Sequence, residues 1–164
     1  MPLTQQSSRA PVREKPTPWR SHGTPRAPAI PFNTEYFTHE LIADSGEFVI
    51  NFMPAENADL VAKVAGCSGS DVDKFDAFEI QTTPASTVEA PVLSAPYAFY
   101  ECKTIDRQSY GDHDLFAGRV TAVQWEESAF FKDGTIDLEH ASPALYIGED
   151  QYTRASQTFH HPRN

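Results

Sequence analysis

The chain is short of cysteine, of basic residues and of long apolar runs, and each shortage excludes something. Two cysteines in 164 residues, Cys67 and Cys102, build no disulfide framework, and neither has a metal-type partner nearby in sequence. Lys plus Arg number 13 against 23 Asp plus Glu, a formal net charge of −10. An acidic chain without a basic stripe is unsuited to nucleic acid or to an anionic membrane surface. An anionic ligand would need a local site made by backbone N–H groups or isolated basic side chains. No apolar run approaches the ~20 residues of a membrane span, and there are no internal repeats. What is there is a 40% hydrophobic content, enough for one core. The expectation is a single soluble, reduced, cytoplasmic domain.

Charge and proline are spread unevenly. Residues 1–30 hold Arg9, Arg13, Lys15, Arg20 and Arg26 against Glu14, a net of +4, so residues 31–164 carry −14. Seven of the 13 prolines fall at positions 2, 11, 16, 18, 25, 28 and 31. Proline lacks the backbone N–H and disfavours helix in the residue before it. With few large apolar side chains, such a segment cannot offset its ordering entropy. Residues 1–30 are expected as an extended or disordered arm, 31–155 as the folded domain and 156–164 as a tail. The arm is basic and acid-poor, as transit peptides are, but its prolines break the amphipathic helix that targeting needs.

From residue 31 the pattern is mixed. Asn33 and Thr34 are good N-caps, Tyr36, Phe37, Leu41 and Ile42 recur at helical spacing, and Gly46 is placed to end the helix. Residues 47–52 form a strand with Phe48, Ile50 and Phe52 on one face. A second helix spans 56–65 with Leu60, Val61 and Val64 inward. Residues 68–71 read as a turn, and 71–75 as one helical turn. Strands follow at 78–82, 98–105, 115–125 and 144–148, with Gly118 marking a bulge or bend and Asp133-Gly134 a turn. Strands outnumber helices without βαβ alternation. The fold class is mainly β with a few helices, an antiparallel barrel or sandwich.

Candidate chemistry is sparse. Gly111-Asp112-His113-Asp114 lies where one strand ends and the strongest begins. A His between carboxylates suits a proton donor, a metal site or a substrate contact, and equally a turn in which Asp112 caps backbone with His113 on the surface. No second His or Cys at ligand spacing supports a metal. Thr38-His39 falls on the first helix, where an ordinary solvated face is the alternative. Ser68 to Lys74 offers hydroxyls, backbone donors after Gly66 and Gly69, and one amine, a set suited to phosphate but without P-loop spacing. Cys67 and Cys102 read as small packing residues, and His160-His161 as solvated tail.

The order of these segments along the chain carries more than any one of them. Phe37-Thr38-His39-Glu40-Leu41-Ile42, then Ser45-Gly46-Glu47-Phe48-Val49-Ile50-Asn51-Phe52, then residues 67–75, residues 97–102, Gly111-Asp112-His113-Asp114-Leu115-Phe116-Ala117-Gly118-Arg119-Val120 and 144–148 together resemble the flavin reductase-like family. The resemblance covers about residues 31–155. It implies an FMN-binding split β-barrel (FAD being the other flavin nucleotide to consider), homodimeric, with the flavin near the dimer interface. It implies hydride transfer from NADH or NADPH to flavin, in some members as the reductase component of a flavin-dependent monooxygenase. Carried over by position, Thr38 and His39 approach the flavin, and Ser70 and Lys74 its phosphate side. Gly111, Asp112 and His113 match the Gly-Asp-His motif of the nicotinamide side. No metal is implied.

One part of the pattern is missing. Residues 1–30 show neither the family's early strands nor the Asn/Ala/Ser/Trp-type segment that wraps the flavin ring, and no basic residue stands just before Thr38. The expected barrel is therefore incomplete at its N-terminus, as a shifted reading frame or wrong start would leave it. Besides the reductase, the readings are a noncatalytic flavin-binding electron carrier and a truncated barrel without flavin activity.

Overall fold

The structure, a computed structural model, describes residues 27–162. The expectation of an extended arm thus falls mostly on residues outside those described. The centre of the molecule is a long antiparallel hairpin, β5 (Ala98–Tyr110) and β6 (His113–Trp125), 13 residues each. Both strands run further than their apolar patterns indicate, to 110 and from 113, because the polar residues between are paired across a two-residue turn. That turn is Gly111-Asp112. Gly111 has φ +63° and Asp112 does not enter the left-handed region, the pattern of a type II′ turn.

β1 (Ala29–Asn33) adds to the outside of β6 and β2 (Glu47–Phe52) to the outside of β5, giving the order β1-β6-β5-β2. Ala29 and Ile30, assigned to the arm from composition, belong to this sheet. Proline is acceptable in β1 for a specific reason. Gly118 N–H donates to Pro28 O at 2.9 Å and Thr34 N–H to Asp112 O at 3.0 Å, so the even-numbered residues of β1 bond β6. Pro31 then points its missing donor to the outer edge, where it removes no ladder bond and blunts that edge against pairing.

Pairing slips one residue at Ile105 in β5 and one at Thr121 in β6. Gly118 sits between these bulges, paired with Thr104. A Cβ there would lie 2.4 Å from Phe48 Cζ and 3.1 Å from Cys102 Cβ. The glycine is thus where Phe48 crosses the sheet at closest approach, and the bend it signals lies in its neighbours. Ile42, Phe48, Cys102 and Phe116 form the core, with Ile30, Phe32, Ile50, Tyr100 and Val120 against it.

Helix α1 (Phe37–Ser45) begins later than its candidate caps. Asn33 instead accepts from Glu35 N–H in a local turn, at 2.9 Å, and Tyr36 stands at the N-cap without a side-chain bond. The inward residues of α1 are His39 and Ile42, while Tyr36 and Leu41 are exposed. Gly46 ends it as expected, at φ +68°. Helix α2 (Ala58–Ala65) follows a 3-10 turn, and α3 (Lys74–Ala77) is capped by Asp73, which accepts from Phe75 and Asp76 N–H. The strand expected at 78–82 is absent. Phe78 closes α3, Glu79 has φ +51°, and only Thr82–Thr83 (β3) pairs, with Val92–Leu93 (β4). A last hairpin joins β7 (Ala144–Gly148) to β8 (Gln151–Arg154), the latter not anticipated. Residues 156–162 continue exposed, without regular structure.

Candidate functional site

The β5–β6 tip and α1 meet beside Asn33 and Thr34. Thr34 N–H and Oγ1 donate to Asp112 O at 3.0 and 3.4 Å, and Asn33 Nδ2 lies 3.5 Å from Asp112 Oδ2. Asp112 Oδ1 lies 2.8 Å from His113 Nδ1, a bond that holds the Asp112 carboxyl below its usual range. Both side chains are accessible. Gly111 makes the turn, with open space within 4 Å of a Cβ placed on it.

Strand alternation then sorts the predicted residues onto two faces. Asp114 and Phe116 point to the side on which α1 packs, as the contacts of His39 with both demonstrate. His113, Leu115 and their β1 partners Asn33 and Pro31 occupy the other side. His39 and His113 share one end of the sheet but not one face.

His39 is buried, 8% exposed, and its imidazole is committed. Nε2 lies 2.7 Å from Asp114 Oδ2, and the same oxygen accepts from Arg107 Nε at 2.6 Å and Nη2 at 2.5 Å. Arg107 Nη2 is also 3.1 Å from His39 Nε2. Hydrogen bonds from His39, then Ser109 and Arg107, hold the Asp114 carboxyl far below the usual carboxylate range despite burial. The rings of His39 and Phe116 meet edge-on at 5.3 Å, and the Arg107 guanidinium covers Phe116 at 5.4 Å. The sequence reading missed Arg107 and Asp114 in this role. Asp114 lay inside the motif that was singled out, and its alternation with His113 was the available signal. Arg107 fell beyond the expected end of its strand.

Of the remaining predicted residues, Thr38 lies in the first turn of α1, Ser70 follows the glycine that packs on that turn, and Lys74 reaches the end of α2. Thr38 is exposed, and its hydroxyl makes no hydrogen bond among the described residues. Gly69 seats its loop on α1, for a Cβ there would lie 2.8 Å from Phe37 Cδ1. Ser70 Oγ pairs with Ser68 Oγ at 2.8 Å and donates to Asp71 Oδ1 at 3.2 Å. Lys74 Nζ donates to Val64 O at 2.7 Å, closing the end of α2 and leaving two of its three N–H groups. Phe37 and Thr38 N–H, at the uncapped start of α1, have no acceptor among the described residues. Hydroxyls, free helix-terminal N–H groups and one ammonium fit a phosphate group in chemistry, with Asp71 and Asp73 the opposing charges.

Two further features lie away from this end. Glu101, fully buried, accepts from the N–H and hydroxyl groups of both Ser86 and Thr87 at 2.6–3.1 Å. Burial pushes its carboxyl up, but these bonds outweigh that and hold it below the usual range. A cavity of about 640 Å³ opens among Ser86, Tyr97, Phe99, Gln124 and Trp125, and none of the predicted residues lines it. Cys102 is a packing residue, its thiol raised to about 11 by burial and the Glu101 charge. Among the described residues no group of three His, Cys, Asp or Glu side chains is placed to hold a metal, and no helix is long and apolar enough to cross a membrane.

Comparison with known proteins gives this arrangement a lineage. Residues 23–155 match the flavin reductase like domain. An uncharacterised protein of Methanothermobacter thermautotrophicus is 31% identical over 115 residues, 67% of this chain and 54% of that one, so the chain spans about half its length. The FMN-binding protein of Thermus thermophilus, solved with bound 1-cyclohex-2-enone, superposes with a TM-score of 0.72 at 26% identity, over 94% of this chain and 100% of that one. The flavoredoxin of Desulfovibrio vulgaris shares the fold, with a TM-score of 0.72 at 21% identity over 82% and 73% of the two chains. The sheet order, the helix laid across it and the matched span place this chain in the flavin reductase-like family of split β-barrels.

Proposed function

We propose that this chain is an FMN-binding oxidoreductase that passes a hydride from NADH or NADPH to flavin. The observation that carries the reading is the seating of Gly69 on Phe37, which sets the hydroxyl loop beside the open first turn of α1. Thr38, Ser70 and Lys74 would hold the flavin phosphate side. When bound, the isoalloxazine supplies the two-electron chemistry, accepting the hydride that the nicotinamide gives up. The protein's own part is to bind, orient and exclude water, which is why no acid–base triad is needed.

His113 has the role of orienting the nicotinamide. Asp112 fixes its ring through Nδ1, leaving Nε2 as the group for a polar contact. Because His113 faces away from α1, this reading is a homodimer in which the hairpin tip of one copy serves the flavin held by the other. A monooxygenase component as acceptor of the reduced flavin belongs to the same proposal.

The test is the visible spectrum of the purified protein with FMN, followed by anaerobic addition of NADH or NADPH. The expected result is bound flavin that bleaches with at least one nicotinamide. Bound flavin that stays oxidised would make the chain an electron carrier, and FMN left free in solution would remove the reading. His113→Ala is expected to slow nicotinamide-dependent bleaching at least tenfold, the loss typical of a positioned catalytic-site side chain, while leaving the FMN dissociation constant unchanged. An unchanged bleaching rate would sink the role given to His113.

A further inference from the structure

We infer that Arg107, Asp114 and His39 are a positioning clamp that fixes the first turns of α1 against the β5–β6 hairpin and so sets the selectivity for a phosphorylated flavin. The inference rests on the flavin reading above and assigns the clamp no contact with the ligand.

The three residues come from three elements. His39 follows Thr38 in α1, Asp114 follows His113 in β6, and Arg107 lies in β5. Around one carboxylate oxygen converge His39 Nε2 and two nitrogens of Arg107, all within 2.7 Å. Asp114 is 2% exposed. A carboxylate so far from water is expensive unless fully bonded, and apolar residues of similar size would pack this region at less cost. Ile30, Phe32, Ile42 and Phe116 already provide apolar packing there. What the polar cluster adds is direction. The guanidinium fork and the imidazole can meet one oxygen in few arrangements, and both are further limited by resting on the same Phe116 ring.

The clamp is also α1's polar tie to the hairpin. Among the described residues the helix has no side-chain N-cap, Ser45 bonds only locally, and His39 alone of its side chains bonds β5 or β6. Ile42 supplies apolar adhesion, which resists sliding and rotation weakly. Thr38 moves with His39, and Phe37 carries the 68–70 loop through Gly69. A small rotation of α1 therefore displaces both groups offered to the phosphate. On the assignment above, riboflavin, which lacks the phosphate, uses neither group and would be affected far less.

The experiment compares FMN with riboflavin, which differ by the phosphate, in the full-length chain. Both are titrated by flavin fluorescence, and amide exchange of the ligand-free protein is followed in parallel. Asp114→Asn is expected to weaken FMN about tenfold, the scale of a lost charge-assisted bond, and to leave riboflavin within about twofold. In the same variant the amides of α1 should exchange faster while those of β5 and β6 keep their protection. Arg107→Lys, at a half-exposed position and keeping the charge without the fork, should lose part of the FMN preference with little change in melting temperature. Equal losses for both flavins, an unchanged preference, or unaltered α1 exchange would overturn the clamp. A wild-type chain that binds neither flavin while α1 exchange responds to Asp114→Asn would overturn the flavin reading and the selectivity drawn from it, and leave the mechanical tie standing as fact.

Discussion

Gly118 shows how one residue can be constrained from two sides. Its N–H donates to Pro28 O, just ahead of β1, while the ring of Phe48 occupies the space where a side chain would stand. Phe48 is a core residue at 6% exposure and has no free volume to retreat into. Gly118→Ala is therefore expected to destabilise the fold by about 1–3 kcal/mol, the usual cost of overpacking a core, read from the urea midpoint. Trimming the ring should recover part of that. The Phe48→Leu/Gly118→Ala double variant is expected to cost less than the two single changes added, a coupling that contacting residues show and distant ones do not. Strict additivity would mean that the clash relaxes elsewhere. Lys74 is constrained by a second duty: because its ammonium closes the end of α2 at Val64 O, Lys74→Ala should lower the melting temperature as well as weaken FMN. A variant that weakens FMN with no thermal change would show that the helix end finds another donor.

At the scale of elements, the hairpin tip is where the sequence was most readable and the strand lengths least. Gly111-Asp112 sits between alternating segments, and a two-residue turn with a leading glycine is what the chemistry of tight hairpins demands. The φ of +63° with open space around it isolates the conformational cost. Gly111→Ala is expected to destabilise by about 1 kcal/mol with the Tyr110–His113 pairing retained, seen as unchanged cross-strand contacts by NMR; loss of that pairing would show that the turn sets the register. Beyond the tip, pattern reading failed where polar residues were paired rather than buried. Residues 106–110 look like loop, yet a neighbouring strand satisfies their backbone. The reverse error occurred at 78–82, where apolar alternation was overridden by the end of α3 and the left-handed Glu79. Ser70 and Lys74 stood out because a loop of hydroxyls and one amine has a local chemical signature, whereas Thr38 entered through the family resemblance alone. The clamp on His39 was not, because it assembles from residues 39, 107 and 114, and only the fold brings them together.

At the scale of the whole molecule, two electrostatic effects oppose each other as pH falls. The net charge of −10 is self-repelling, and it vanishes near pH 4.9. Protonating solvated carboxylates between neutrality and that point relieves repulsion and favours the compact state. Against this stand Glu47, Glu101, Asp112, Asp114, Asp133 and Asp137, all held below their usual range by hydrogen bonds or neighbouring cations. For each, the folded state binds its proton less readily than the unfolded chain. Their contribution is therefore present in full above the unfolded values of about 4 and is lost as pH falls through the lower, folded ones. The sum is a stability that is flat or rising from pH 7 to about 5 and collapses below about 4. Urea midpoints measured from pH 7 to 3 check this, and a midpoint that holds to pH 3 would mean that the six carboxylates titrate as they do unfolded. Asp114→Asn removes one titrating group with the surrounding shape kept. Its midpoint should start lower at pH 7 and fall less steeply below pH 4, converging on the wild type where the wild-type carboxylate has itself gained its proton.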